Sequence, residues 1–361
     1  MSCYHPMIYI SDDNMTDPKQ RKLLRRLWFT HHDPSKDGTG SDKSYKYSHG
    51  ILIPRELAVR EGVDLEKNHA LLVPCGQCIG CRLDYSRVWA ERCVHEAELH
   101  SDNYFLTLTY DDAHLPYGKK GFASLVKDEV SSFMKRLRTT FERKFGHQGI
   151  RFFACGEYGD HTLRPHYHII LFNCPIPDLQ ERHPIMVDGK LKWIKQFDSD
   201  GSALLFSPTI HECWQKKGTC EIGQVSYESC AYVARYVVKK LKGKDAQSYK
   251  EQDVEPPFVR MSRMPGIGYD WYMSNLDHIY DTDTVVFKRG DDVVVKKPGK
   301  YCDKLLQKEH PQMFYDLKDK RHRDFYDAVA CKGYESVDLA INNHHAESEK
   351  ENQTKILKRV L

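Results

Sequence analysis

Hydrophobic and polar positions change period several times along the chain, and each change marks an element. Val88, Trp89, Val94, Ala97 and Leu99 recur at helical spacing without Pro or Gly, predicting a helix over residues 83–100. The aromatic and threonine-rich run Tyr104-Phe105-Leu106-Thr107-Leu108-Thr109-Tyr110 predicts a strand that Asp111-Asp112 closes. Helical spacing returns with Leu125, Val126, Val130, Phe133, Met134, Leu137 and Phe141, and Gly146 ends it. Two strands follow, at 150–155 and 166–172, separated by turn-forming residues 157–162. A short strand at 221–226 leads into a helix over 228–242, which Gly243 closes.

Outside this stretch the pattern weakens. Residues 1–70 hold no period long enough to define an element and read as an extension; 175–219 read as an insertion with a hairpin-like turn at 198–201. Past Ile279, residues 284–288 and 292–296 suit an exposed hairpin, and from Tyr301 the chain is charged and helical in tendency. The linear division this suggests is an N-terminal extension with cysteines and a helix (1–100), a central domain (101–275) and a C-terminal hairpin and helical extension (276–361).

Composition narrows the class. The 361 residues carry 54 Lys and Arg against 51 Asp and Glu, a net charge of +3, with 29% charged and 40% hydrophobic residues. That describes a folded, soluble chain and excludes disorder throughout. No apolar run approaches the roughly 18–20 residues of a membrane helix, and Met1-Ser2-Cys3-Tyr4-His5-Pro6 is not a charged-then-apolar leader, so neither a membrane span nor Sec-type export is expected. Twelve cysteines then point to reduced thiols in a cytoplasm, some of them metal-bound, more than to a disulfide framework. The small net charge does not exclude nucleic acid, because phosphate binding depends on local clusters such as Lys135-Arg136 with Arg138, or Lys239-Lys240-Leu241-Lys242. Each such cluster also suits a solvated face.

Three constellations carry chemistry. His166 and His168 are two apart on a predicted strand, so both imidazoles leave the same face and can share a metal. Glu157, at the end of the neighbouring strand, offers a carboxylate to complete a set of two nitrogens and one oxygen that leaves positions open for phosphate. Alone, His-x-His is as compatible with ordinary hydrogen-bonded strand histidines. On the helix over 228–242, Tyr232, Tyr236, Lys239 and Lys240 lie within about 100° of one another, opposite an apolar stripe of Cys230, Val233, Ala234, Val237, Val238 and Leu241. A phenol can attack a phosphodiester in line, but its pKa near 10 calls for a nearby lysine and a divalent cation. Packing at a helix shoulder is the plainer reading of the tyrosines. Thirdly, Cys75-x2-Cys78-x2-Cys81 with Cys93 suits a four-thiolate structural zinc, with unliganded thiols or an iron–sulfur cluster as alternatives and His95 and His100 as spare ligands.

Taken together, Phe105–Tyr110, His166-Tyr167-His168 and Tyr232-Val233-Ala234-Arg235-Tyr236-Val237-Val238-Lys239-Lys240, in that order, resemble the HUH endonucleases. Within them the chain is similar to the two-tyrosine, rolling-circle replication initiators of small single-stranded DNA phages, most closely the gokushovirus-type Microviridae. Ser2-Cys3-Tyr4-His5-Pro6, the Cys75–Cys81 stretch and Ser262-Arg263-Met264-Pro265-Gly266-Ile267-Gly268 add to the resemblance, which spans roughly residues 75–268. It implies an α+β fold, a central antiparallel sheet flanked by helices. It also implies Mg2+ or Mn2+ on His166, His168 and, less securely, Glu157; nucleophiles Tyr232 and Tyr236; and a helix lysine at Lys239 or Lys240. Arg235 stands where the paired-tyrosine pattern often has Lys, which keeps the charge. The implied activity is nicking and rejoining of single-stranded DNA at a phage origin through a 5′-phosphotyrosine, in the cytoplasm of the bacterial host. No Gly-x4-Gly-Lys-Ser/Thr motif is present, so a host helicase and replication machinery are the expected partners. The competing readings are a zinc-containing nucleic-acid-binding module without catalysis, and a metal-dependent phosphoesterase whose nucleophile is water.

Overall fold

The computed structural model describes residues 3–31, 50–76, 78–159, 161–187, 190–198, 201–238, 244–289 and 292–337. The chain divides into two compact units, Met1–Asp84 with His310–Leu361, and Tyr85–Glu309. This differs from the linear division expected at residues 100 and 276. The C-terminal helix belongs with the N-terminal strands, and the late hairpin belongs with the central sheet.

The first unit contains β1 (Met7–Ser11), α1 (Pro18–His31), β2 (Gly50–Pro54), α2 (Arg55–Arg60) and β3 (Leu71–Val73). Its strands pair antiparallel in the order β2-β1-β3. Ile8, Ile10, Ile51 and Ile53 alternate into a core with Leu24 and Leu27 of α1, and Val329 of the long helix Pro311–Val337 packs there too. Elements of three to five residues are too short to establish a period, which is why this part of the sequence reads as an extension.

The second unit takes in most of α3 (Ile79–Glu98), then β4 (Tyr104–Leu108), α4 (Lys127–Phe145), β5 (Arg151–Tyr158) and β6 (Pro165–Phe172). An insertion of β7 (His183–Val187), β8 (Lys190–Ile194), β9 (Gln196–Phe197), β10 (Ala203–Leu204) and α5 (Pro208–Cys213) precedes β11 (Cys220–Gln224) and α6 (Tyr227–Val238). β12 (Phe258–Met261), which the sequence pattern did not indicate, completes a five-stranded sheet in the order β11-β4-β6-β5-β12, antiparallel at every pairing.

Alternation along these strands builds two different faces. Leu106 and Leu108, Phe152 and Ala154, and Tyr167, Ile169 and Leu171 pack on Val130, Phe133, Met134, Leu137 and Phe141 of α4. Gly146 closes that helix in the left-handed conformation, as its position implies, with His147 N–H bonded to Phe141 O at 3.2 Å. On the opposite face Phe153, Cys155, Ile170 and Phe172 meet Ala90 and Cys93 of α3 and Cys230, Val233 and Ala234 of α6. The chain is therefore α+β, with a central antiparallel sheet covered by helices on both sides. β13 (Val285–Arg289) and β14 (Asp292–Lys296) pair as their alternation implies, but Val285 and Phe287 are buried, so the hairpin is exposed on one face only. Among the described residues, no helix is long and apolar enough to cross a membrane.

Candidate active site

The face that carries α6 also carries the ionisable groups, and strand register explains why. β5 and β6 pair so that Cys155 lies opposite His168 and Glu157 opposite His166. With a period of two, Phe153, Cys155 and Glu157 share one face with Ile170, His168 and His166. The apolar residues bury under α6 while the polar ones cluster at the end of the same face. β5 runs through Glu157 to Tyr158, so the glutamate sits within a strand and not in the turn its neighbours suggested.

Three donors converge on one carboxylate oxygen. Glu157 Oε1 lies 3.1 Å from His166 Nε2, 2.8 Å from His168 Nε2 and 2.5 Å from the Tyr232 phenol, which donates to it. Glu157 and His168 are buried. Burial raises the Glu157 pKa, but the bonds from His166 and His168 outweigh it and hold the carboxyl well below the usual range. Burial pushes His168 down against the pull of that carboxylate. Burial, with Glu157 adding to it, pushes the Tyr232 phenol up.

The donor set fits a cation. His166 Nε2, His168 Nε2 and a Glu157 oxygen form a group whose ligand atoms all lie within 4.8 Å of one another. Adjacent ligand atoms at right angles around a cation bound at about 2.1 Å stand roughly 3.0 Å apart, close to the 2.8 and 3.1 Å separations here. His168 Nε2 is buried and, despite its proximity to Glu157, makes no hydrogen bond. An oxygen with two in-plane lone pairs cannot satisfy three donors; a shared cation would.

Neighbours hold the two rings by their other nitrogens. His168 Nδ1 is 3.1 Å from Thr107 Oγ1, its register partner on β4, and His166 Nδ1 is 3.2 Å from Arg164 O. Phe105 stacks on His168 with centroids 5.4 Å apart and planes 18° off parallel. Such partners fix tautomer and ring orientation. Thr107 escaped the sequence reading because only strand register brings it to His168.

α6 delivers Tyr232. Ser226 and Ser229 exchange reciprocal bonds at the helix start, Ser226 N–H to Ser229 Oγ at 2.8 Å and Ser229 N–H to Ser226 Oγ at 3.2 Å. Burial of Cys230, Val233 and Ala234 then turns the Tyr232 shoulder toward the histidines, and its ring meets His168 edge-on at 4.9 Å. Arg235 places its guanidinium carbon 5.0 Å from the Tyr232 ring centroid, a cation–π contact that helical angles alone did not indicate. Tyr236 follows one turn later on α6. Its side chain, and Lys239 and Lys240 entirely, lie outside the described residues.

The cysteine set differs from the one the spacing suggested. Cys75, Cys78 and Cys81 come together with Cys3, not with Cys93. α3 runs unbroken from Ile79 to Glu98, so the twelve residues from Cys81 to Cys93 correspond to about 18 Å along its axis. Cys93 is instead buried against the sheet beside Cys230. The spare candidate His95 stacks on Trp271 with centroids 3.7 Å apart, and His100 Nε2 lies 3.9 Å from Glu96.

Residues 103–241, which include Glu157, both histidines and both tyrosines, match the family described as replication-associated protein ORF2. The chain is 38% identical over 266 residues to the replication-associated protein ORF2 of Spiroplasma virus 4, covering 72% of this chain and 77% of that one. It is 32% identical over 252 residues to the replication-associated protein VP4 of Bdellovibrio phage phiMH2K, covering 68% and 72% respectively. To the replication-associated protein ORF4 of Chlamydia phage 1 it is 30% identical over 227 residues, covering 63% and 52%. No solved structure matches the chain.

Proposed function

The chain belongs to the replication-associated proteins of small phages of the Microviridae type, and from that premise we propose that it is a replication initiator that nicks single-stranded origin DNA and rejoins it through a covalent phosphotyrosine. The observation that carries this reading is the convergence of Tyr232, His166 and His168 on Glu157 Oε1. A nucleic-acid-binding module gains nothing from placing a phenol within 2.5 Å of a carboxylate that two imidazoles also reach.

In this reading His166, His168 and Glu157 hold Mg2+ or Mn2+, which when bound polarises a DNA phosphate and offsets charge developing in the transition state. Tyr232 supplies the nucleophile. Its phenolic oxygen bonds to phosphorus as the P–O3′ bond breaks, leaving a 5′-phosphotyrosine and a 3′-hydroxyl. The phenol gives up its proton, and the departing 3′ oxygen takes one from solvent. Thr107 and the Arg164 carbonyl keep both imidazoles aimed at the site throughout. Lys239 and Lys240 would add positive charge for the phosphate, and Tyr236 a second phenol.

Two phenols suit a cyclic reaction. One holds the 5′ end of the displaced strand while the other cuts the regenerated origin, and the freed 3′-hydroxyl then attacks the first adduct to close the circle. No external energy source is required, because the phosphotyrosine retains the energy of the bond it replaced. Duplex unwinding falls to a host helicase in the bacterial cytoplasm. Labelled origin-bearing single-stranded DNA, incubated with the protein and manganese and run on a denaturing gel, should give a nicked product and a band retained on protein. Nicked product without a protein-bound band would mean that water is the nucleophile.

A further inference from the structure

We infer that Cys3, Cys75, Cys78 and Cys81 form a four-thiolate zinc site that fastens the N-terminal strand of the first unit to the start of α3. Their sulfurs all lie within 4.8 Å of one another, with Cys75–Cys81 and Cys3–Cys78 separations of 3.9 Å. A tetrahedron of sulfurs at the zinc–thiolate distance of about 2.3 Å has edges of about 3.8 Å. The observed spacing matches that figure and is nearly twice the roughly 2.05 Å of a disulfide. An iron–sulfur cluster places irons and sulfides between the thiolates and needs them wider apart.

The backbone around the sulfurs is arranged for thiolates. Four amides point at them: Cys75 N–H at Cys3 Sγ (3.2 Å), Tyr4 N–H at Cys78 Sγ (3.4 Å), Cys78 N–H at Cys75 Sγ (3.4 Å) and Cys81 N–H at Cys78 Sγ (3.5 Å). Hydrogen bonds to a charged sulfur favour the charged form. Four thiolates this close repel one another unless a cation lies among them. Cys3, Cys78 and Cys81 are buried, away from any other cation among the described residues.

Topology shows what the site fastens. β1 is the middle strand of the three-stranded sheet and pairs antiparallel with β3, Met7 opposite Val73. The segment before Met7 and the segment after Val73 therefore leave the sheet at the same end. The first carries Cys3 and the second Cys75, while Cys78 lies just before α3 and Cys81 in its first turn. The ion closes a chain segment of about seventy residues, so its binding energy adds to the stability of that sheet. This role is independent of the nuclease reading.

The test is metal analysis of protein purified under reducing conditions, made in the His166→Ala/His168→Ala variant so that the count reports on thiolates alone. About one zinc per chain is expected, lost in Cys3→Ala and kept in Cys93→Ala. Because Cys3→Ala could fail to fold, cobalt(II) exchanged into the intact chain gives a second readout, an intense thiolate-to-cobalt charge-transfer band. Protein that binds no zinc and shows no such band would overturn the inference. So would a folded Cys3→Ala variant with a full zinc complement, or iron with sulfide in place of zinc.

Discussion

The Tyr232 phenol donates its hydrogen bond to Glu157 at 2.5 Å, joining the tyrosine helix to the strand that faces the two histidines. A helix residue and a strand residue 75 positions apart thus share the oxygen that both imidazoles approach. Phenol, carboxylate and imidazoles can then act on a single phosphate.

Replacing both histidines, His166→Ala with His168→Ala, should abolish metal-dependent cleavage while leaving the fold intact. Loss of two of three ligands leaves a lone carboxylate, too little to hold a divalent ion at micromolar concentration. Cleavage assayed across a manganese titration checks this, and undiminished nicking at any metal concentration would remove the histidines from the site.

Thr107→Val should weaken manganese binding roughly 10- to 100-fold, the usual cost of losing a ligand's outer hydrogen-bond partner. Val keeps the shape but frees His168 Nδ1 to rotate away from its present bond at 3.1 Å. Thr107→Ser, which keeps the hydroxyl, should restore affinity. Manganese affinity measured by paramagnetic resonance separates the two, and equal affinity in both variants would rule out a positioning role for the hydroxyl.

Acid should destabilise the second unit through His95. Burial, with Lys296 adding to it, pushes this ring down from 6.5 to about 3. Its folded pKa lies below its unfolded one, so between pH 6.5 and 3 the unfolded chain takes up a proton that the folded chain refuses, and stability falls as pH falls. By pH 5 the loss is about 2 kcal/mol relative to neutral pH. His95→Phe, which keeps a ring on Trp271, should flatten the pH dependence of Tm between pH 7 and 5. An unchanged slope would assign the acid sensitivity elsewhere.

Much of this architecture was legible in the sequence, because long elements with one buried face announce their period. The strand around Phe105, the α4 stripe ending at Gly146, and His166 with His168 on one strand face are of this kind. What was not legible depends on register and long-range closure. Thr107 meets His168 only because β4 pairs with β6 in one register, and Cys3 meets Cys75 only because β1 and β3 run antiparallel. Cys93 misled for the converse reason: its spacing from Cys81 suits a ligand loop, but the intervening residues form continuous helix. The short strands within residues 1–70 and β12 carried too few residues to show a pattern.

The central claim is that Tyr232 and Tyr236 are alternative covalent nucleophiles at one metal-bound phosphate. Mass spectrometry of the protein–DNA adduct formed with origin-bearing single-stranded DNA and manganese tests it most directly, in the wild type, each single Tyr→Phe variant and the double variant. The account predicts nucleotide on Tyr232 or Tyr236 in the wild type, on the remaining tyrosine in each single variant, and no adduct in a double variant that still binds manganese and DNA. An adduct on any other residue, or one that persists in the double variant, would contradict it.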